Sequence, residues 1–205
     1  MASTIASRAL APSLIGGRIG QTAEDVLLAL AGTVLLAISA KIKVPFYPVP
    51  MTLQTLAVMA IAAAYGLRLG VITVLAYLGE GLLGLPVFTN TPPAVAGPTY
   101  FLGPTSGFLA GFVVLALIVG YAVDRGWDRS VPRLFAALLV ADAAVFALGF
   151  DWLAVFLPLP GGGMGIGAAK AFAGGVTPFL LGDLLKVVLV ALAVPAVWAL
   201  VSPKR

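Results

Sequence analysis

The chain has 205 residues, 61% of them apolar and 10% charged, a formal net charge of +4 and a mean hydropathy of +1.10. That usage lies far outside soluble globular composition and predicts an integral membrane protein housed in a lipid bilayer. There is no cysteine and no histidine, which excludes disulfides, thiol catalysis and thiolate metal sites and removes the commonest metal ligand and general base; no cofactor is expected.

In chain order, residues 1–23 are small and weakly basic, with Arg8 and Arg18. They lack an apolar core followed by a small-residue cleavage site, so they read as a cytoplasmic segment rather than a removable signal peptide. A single six-helix membrane domain is expected over 24–200, with 201–205 as a cytoplasmic tail. Span one runs from Glu24 to about Ile42, ending beside Lys41 and Lys43 at an interface. Val44 to Pro50 holds three prolines, each without a backbone donor, and predicts a stiff extended loop. Span two covers Met51 to about Tyr65, short for a crossing. Gly66-Leu67-Arg68 turns into span three, Leu69 to Leu85, which contains Tyr77 and Glu80.

Pro86 to Pro104 is a loop without one charged residue, holding Thr89, Thr99 and Tyr100, and it is expected to fold back over a cavity. Span four is Thr105 to Val123. Asp124 to Arg133 is an aqueous loop with Trp127 at interface depth. Span five is Leu134 to Phe150, with Asp142 near its middle and the apolar run resuming at Trp152. A Gly-rich stretch with Lys170 follows, and span six is Val176 to Leu200. At 1.5 Å per residue that last span is roughly 37 Å of helix, enough to cross a bilayer.

With both termini inside, Arg8, Arg18, Arg68, Arg125, Arg129, Arg133, Lys204 and Arg205 are cytoplasmic, and Lys41, Lys43 and Lys170 lie outside. This bias of basic residues supports an all-α, multi-pass inner-membrane topology with cytoplasmic ends. The basic residues sit beside apolar spans, so no nucleic-acid partner is expected. Gly163-Met164-Gly165-Ile166-Gly167-Ala168 loosely matches a dinucleotide fingerprint, but no strand precedes it, and the ending of a phosphate loop is missing at Lys170. No ATP site is encoded.

Three acids and one base lie within spans: Glu80, Asp142, Asp183 and Lys186. Each charge at membrane depth costs about 2.5–3.5 kcal/mol on insertion scales. Asp183 and Lys186, spaced i,i+3, share a helix face and fit either a structural ion pair or a shared ligand. Glu80 is placed to bond Tyr77 on its own face, and Asp142 reads equally as a packed acid or a site acid. Ala29, Thr33 and Ala37, widened by Gly32, form a small-residue stripe on span one, suited to packing within the bundle or against a partner.

Four stretches together resemble one family: Lys41-Ile42-Lys43-Val44-Pro45-Phe46-Tyr47-Pro48-Val49-Pro50-Met51-Thr52-Leu53-Gln54-Thr55, then Gly84 to Phe88, Leu102 to Phe112, and Pro178 to Lys186. They are similar to the BioY family, the biotin-specific S components of energy-coupling factor (ECF) transporters. The resemblance implies a six-helix S-component bundle that binds biotin near the outer face and is not an enzyme. A transmembrane coupling subunit and ATPase subunits would supply the work, with the Ala29, Gly32, Thr33 and Ala37 stripe meeting the coupling subunit. It carries ligand contact onto Asp183, Lys186 and Gln54, and more weakly onto Tyr100.

The chemistry of the residues is consistent with that ligand. A bicyclic urea offers N–H donors and a carbonyl; Asp183 accepts, Lys186 donates and Gln54 does either. Phe46, Tyr47, Tyr77 and Tyr100 are the aromatics available to the site. Where family members offer a cation to the biotin carboxylate from the loop after the third helix, Pro86 to Pro104 has none. Thr89, Thr99, Tyr100, backbone N–H groups or solvent are the alternatives. The rival readings are an S component for another vitamin, a stand-alone proton-coupled carrier using Glu80, Asp142 and Asp183, and an intramembrane enzyme built on Asp142 and Asp183.

Overall fold

The computed structural model describes residues 9–11 and 21–201. Helices occupy α1 (Gln21–Lys41), α2 (Gln54–Leu82), α3 (Ser106–Asp124), α4 (Val131–Asp151), α5 (Ala168–Gly175) and α6 (Leu180–Val201). The one sheet among the described residues pairs β1 (Lys43–Val44) antiparallel with β2 (Met51–Thr52). Pro45, Pro48 and Pro50 lie in the connection between the strands, where a missing N–H breaks no ladder. The expected segment 1–23 and tail 201–205 fall mostly outside the described residues.

Among the described residues, five helices are long and apolar enough to cross a membrane: α1, α2, α3, α4 with its extension, and α6. The expected second and third spans are both inside α2, which is broken at Gly66 (φ 76°, ψ −173°), a conformation open to glycine and strained for other residues. Along a straight helix Gln54 and Tyr77 would be roughly 35 Å apart. Instead Gln54 Nε2 lies 2.7 Å from the Tyr77 hydroxyl, and a Cβ on Gly70 would sit 3.3 Å from the Ala62 Cα. The helix doubles back at Gly66, so α2 is a pair of arms packed side by side. The Leu67 N–H, donated to Asp124 Oδ1 at 3.3 Å, holds the turn.

Helices α3 and α4 touch through glycine. A Cβ on Gly107 would lie 2.3 Å from the Leu148 carbonyl oxygen, and one on Gly111 2.8 Å from the Val145 Cα. Such close backbone approach supplies the van der Waals contact that joins helices in lipid. The expected interruption at Asp151 is absent: α4 runs through it and widens into a π turn at Trp152–Phe156. Trp152 Nε1 pins that turn by donating to the Gly103 carbonyl at 2.8 Å. Helix α6 starts at Leu180 rather than Val176, because Pro178 disfavours helix at the residue before it. The Gly-rich stretch also contains the short α5, whose glycines concealed it from propensity.

The bundle has two chemically distinct ends. One carries Gly66, Asp124, Arg125, Arg129 and Trp198; the Arg129 guanidinium lies over the Trp198 ring at 4.6 Å, and Trp198 Nε1 donates to Asp128 Oδ2 at 2.5 Å. Burial pushes the Asp128 carboxyl above its ordinary range, partly offset by the Trp198 N–H and the Arg129 charge. The other end gathers the β-hairpin, the loop from Leu83 to Thr105, α5 and the start of α6, and it contains the site.

Candidate functional site

The first turns of α6 place Asp183 and Lys186 against the start of α2. Lys186 Nζ donates to Asp183 Oδ1 at 2.5 Å, to Thr55 Oγ1 at 2.7 Å and to the Thr52 carbonyl at 2.9 Å. Thr55 in turn donates its hydroxyl to Asp183 Oδ1 at 3.1 Å. An ammonium has three protons, and here each has an acceptor. Asp183 is 3% exposed and Lys186 7%. The two charges therefore engage each other fully.

Gln54 stands beside this cluster, its Oε1 accepting from the Thr52 hydroxyl at 3.3 Å and its Nε2 donating to Tyr77. The Tyr77 hydroxyl in turn donates a hydrogen bond to the Val87 carbonyl at 3.1 Å. Tyr77 thus orients Gln54 from behind, and the bond once expected between Tyr77 and Glu80 is replaced by the one to Val87. A pocket opens over the cluster. One side is polar, with Asp183, Lys186, Gln54, Thr52 and Thr55; Phe108, Leu109 and Phe112 of α3, Val145 and Phe146 of α4, and Phe179 form its apolar walls.

Of the residues expected to bind, Asp183, Lys186 and Gln54 line the pocket, and the four aromatics stand outside its wall. Tyr47 is 93% exposed and borders a separate outer groove with Lys170. Phe46 meets Phe179 of the pocket wall edge to face at 6.1 Å. Tyr100 and Thr99 line an adjoining groove. Tyr100 stacks on Phe88 at 4.7 Å and donates to the Thr89 carbonyl at 2.8 Å; burial raises its phenol, offset in part by a hydrogen bond with Thr105. Asp142 is buried one turn before Val145 and Phe146, with Oδ1 lacking a hydrogen-bond partner.

Sequence reasoning missed Thr52, Thr55 and the walls. The threonines flank Gln54 in a motif already singled out, and Phe108 and Phe112 share a helix face at i,i+4, so a signal existed. Val145 and Phe146 carried none. It also treated Lys41 and Lys43 as interface markers. Lys41 does end α1, and its Nζ also reaches into the uncharged loop, donating to the carbonyls of Pro86 at 2.7 Å and Phe88 at 2.6 Å, the Thr91 carbonyl, and the Thr91 hydroxyl at 3.2 Å. Lys43 Nζ bonds Asn90 Oδ1. The loop without a charge of its own borrows two.

The small-residue stripe divides. A Cβ on Gly32 would meet Thr73 Cγ2 at 2.5 Å and Thr33 is 2% exposed, so both serve packing within the chain, against the expectation that they face a partner. Ala29 and Ala37 remain half-buried on α1, beside the exposed Val26, Leu30 and Val34.

A family model described as the BioY family matches residues 10–203. The "Biotin transporter BioY" of Rhizobium etli is 34% identical over 180 residues, covering 83% of this chain and 90% of its own length. The "Probable biotin transporter BioY" of Pyrococcus horikoshii is 33% identical over 164 residues, covering 80% and 90%. Among solved structures, the S-component for biotin from an ECF-type ABC transporter aligns with a TM-score of 0.70 at 23% identity, over 90% of this chain and 95% of that one. At that identity the likeness establishes the fold.

Proposed function

The chain belongs to the BioY family, and we propose that it is the biotin-binding membrane subunit of an ECF-type importer, with ATPases on partner subunits supplying the work. The observation that carries this reading is the pocket in which Asp183, Lys186, Thr55 and Gln54 form one polar side facing aromatic and aliphatic walls. A urea N–H donates to Asp183, the urea carbonyl accepts from Lys186, and Gln54 completes the set. The apolar part of the bicycle lies against Phe108, Phe112 and Phe179.

The two arms of α2 with the other four apolar helices make six crossings of the cell membrane. The arginine-rich end, with Arg68, Arg125, Arg129 and Arg133, faces the cytoplasm together with both termini, and the pocket opens outward. The coupling subunit meets α1 over Ala29 and Ala37. Equilibrium binding of labelled biotin to the purified protein in lipid nanodiscs tests the reading. Saturable binding at one site per chain is expected; no binding at micromolar biotin overturns it.

A further inference from the structure

The end of the bundle opposite the pocket has a groove of its own. Helix α1 and the second arm of α2 touch where a Cβ on Gly32 would meet Thr73 Cγ2 at 2.5 Å. Nearby, Tyr65 donates its hydroxyl to the Leu28 carbonyl at 3.0 Å. Towards the bundle end a groove runs between the two helices, lined from α1 by Thr22, Asp25, Val26 and Ala29 and from α2 by Arg68 and Ile72. Its polarity is graded along the helix axis. Thr22, Asp25 and Arg68 stand at the end, whereas Val26, Ala29 and Ile72 lie further into the spans; Thr22 to Ala29 is roughly 10 Å of helix. Val26 and Ile72 are about half exposed, on helices whose outer surfaces meet lipid.

Asp25 and Arg68 carry opposite charges into one groove, yet among the described residues neither side chain has a salt bridge or hydrogen bond. Asp25 is half-buried, and a carboxylate drawn partly out of water beside hydrocarbon is costly without a donor. An arginine at a span end is explained by topology alone; the acid facing the same groove is not. Glu24, buried in the first turn, already serves the start of α1, so the helix start does not account for Asp25. The groove therefore presents an acceptor and a planar cation, held apart, above an apolar floor. That pattern matches a zwitterion with an apolar tail.

We infer that this groove binds one glycerophospholipid with a primary ammonium in its headgroup, as in phosphatidylethanolamine. Arg68 takes the phosphate, Asp25 and Thr22 take the ammonium, and an acyl chain lies along Val26, Ala29 and Ile72. A guanidinium fork matches two phosphate oxygens, and an ammonium has N–H protons for both the carboxylate and the hydroxyl. A trimethylated headgroup has no N–H to donate, and an anionic headgroup leaves Asp25 without a partner. The site requires only that the chain lies in a bilayer, so it stands or falls separately from the biotin reading. Ala29 also belongs to the face proposed for the coupling subunit; the lipid holds the groove while the chain is unpartnered and leaves when the partner docks.

The test reads retained lipid by native mass spectrometry on the full chain in micelles, offered equal amounts of phosphatidylethanolamine, phosphatidylcholine and phosphatidylglycerol. The wild type is expected to retain the ethanolamine lipid over each of the others by roughly fivefold, the scale of a partly exposed ion pair. Asp25→Asn should abolish the preference over phosphatidylglycerol. Asp25→Arg should turn it in favour of phosphatidylglycerol, a gain that a misfolded chain cannot mimic. Arg68→Gln should lower retention of all three lipids by about threefold, since each carries the phosphate. A wild type without headgroup preference, or a preference that survives in Asp25→Asn, overturns the assignment. So does an Asp25→Arg variant that loses co-purification of the coupling subunit with lipid retention unchanged, which would make the groove a protein interface.

Discussion

Replacing Lys186 by Met tests whether the buried pair serves the ligand or only the fold. Removing the ammonium strips Asp183 of its bond at 2.5 Å and leaves Thr55 as its remaining donor in the cluster. An uncompensated buried charge of this kind costs about 3–5 kcal/mol, so Lys186→Met should be strongly destabilised. Asp183→Asn with Lys186→Met removes both charges, and similar volume without a stranded ion should restore stability to within about 1 kcal/mol of wild type. Biotin affinity should not recover. Every Lys186 proton has an acceptor within the protein, so the urea exchanges bonds rather than adding them. The net contribution is then about 1 kcal/mol per exchanged bond, somewhat more where the partner is charged. Two exchanges give a loss of at least about tenfold, or 1.4 kcal/mol. Thermal unfolding in nanodiscs and equilibrium biotin binding read the two quantities separately. A double variant that is both stable and wild-type in affinity would refute a ligand role for the pair.

Two further predictions concern the α1 stripe and the arginine-bearing end of the bundle. Bulky substitutions at Ala29 or Ala37, the half-buried members of the α1 stripe, should reduce co-purification of the coupling subunit while leaving biotin affinity within about twofold, since neither lines the pocket; undiminished co-purification with Trp at both positions counts against that face. At the other end, burial raises the Asp128 carboxyl in the fold, so its ionised form opposes folding above the raised value and this penalty lifts as pH falls through it. Asp128→Asn should therefore gain thermal stability over wild type near pH 7.5, with the gap closing towards pH 4.5. A gap independent of pH would assign the difference to packing against Trp198.

The charged pair was legible because Asp183 and Lys186 interrupt an apolar run, and an i,i+3 spacing can be converted to a shared face without any coordinates. Gln54 was legible through its motif. The walls were not: Phe108 on the pocket and Leu117 on the bundle's outside both belong to one uninterrupted apolar helix, and hydropathy offers no contrast between them when lipid replaces water as the solvent. Lys41 does end the first span, but its bonds to the loop were illegible for a different reason. Its acceptors lie 45 to 50 residues away, and a lysine beside a span end has a ready explanation as a topology marker. Phe46 and Tyr47 were favoured by their place in a conspicuous motif, yet the hairpin turns Tyr47 outward. The turn at Gly66 was visible in Tyr65-Gly66-Leu67-Arg68, whereas the antiparallel packing of the arms appears only in contacts such as Gln54 with Tyr77.

The self-satisfied cluster also alters how discrimination against ligand analogues should work. If Asp183 were unpaired until the ligand arrived, an analogue lacking the urea N–H groups would bury an orphaned carboxylate, and sites of that kind reject such analogues by factors of about 10⁴–10⁵. Here Asp183 already accepts from Lys186 and Thr55, and Lys186 is fully engaged with Asp183, Thr55 and the Thr52 carbonyl. An analogue with oxygen in place of the urea nitrogens leaves those bonds closed and orphans nothing on the protein. It forfeits only the gain from exchange, about 1–3 kcal/mol, so its affinity should fall by roughly ten- to hundredfold. Competition against labelled biotin measures this directly. A loss of 10⁴ or more would mean that the Asp183–Lys186 bond opens on binding whatever enters, and that the pair is a strained gate rather than a satisfied exchange partner.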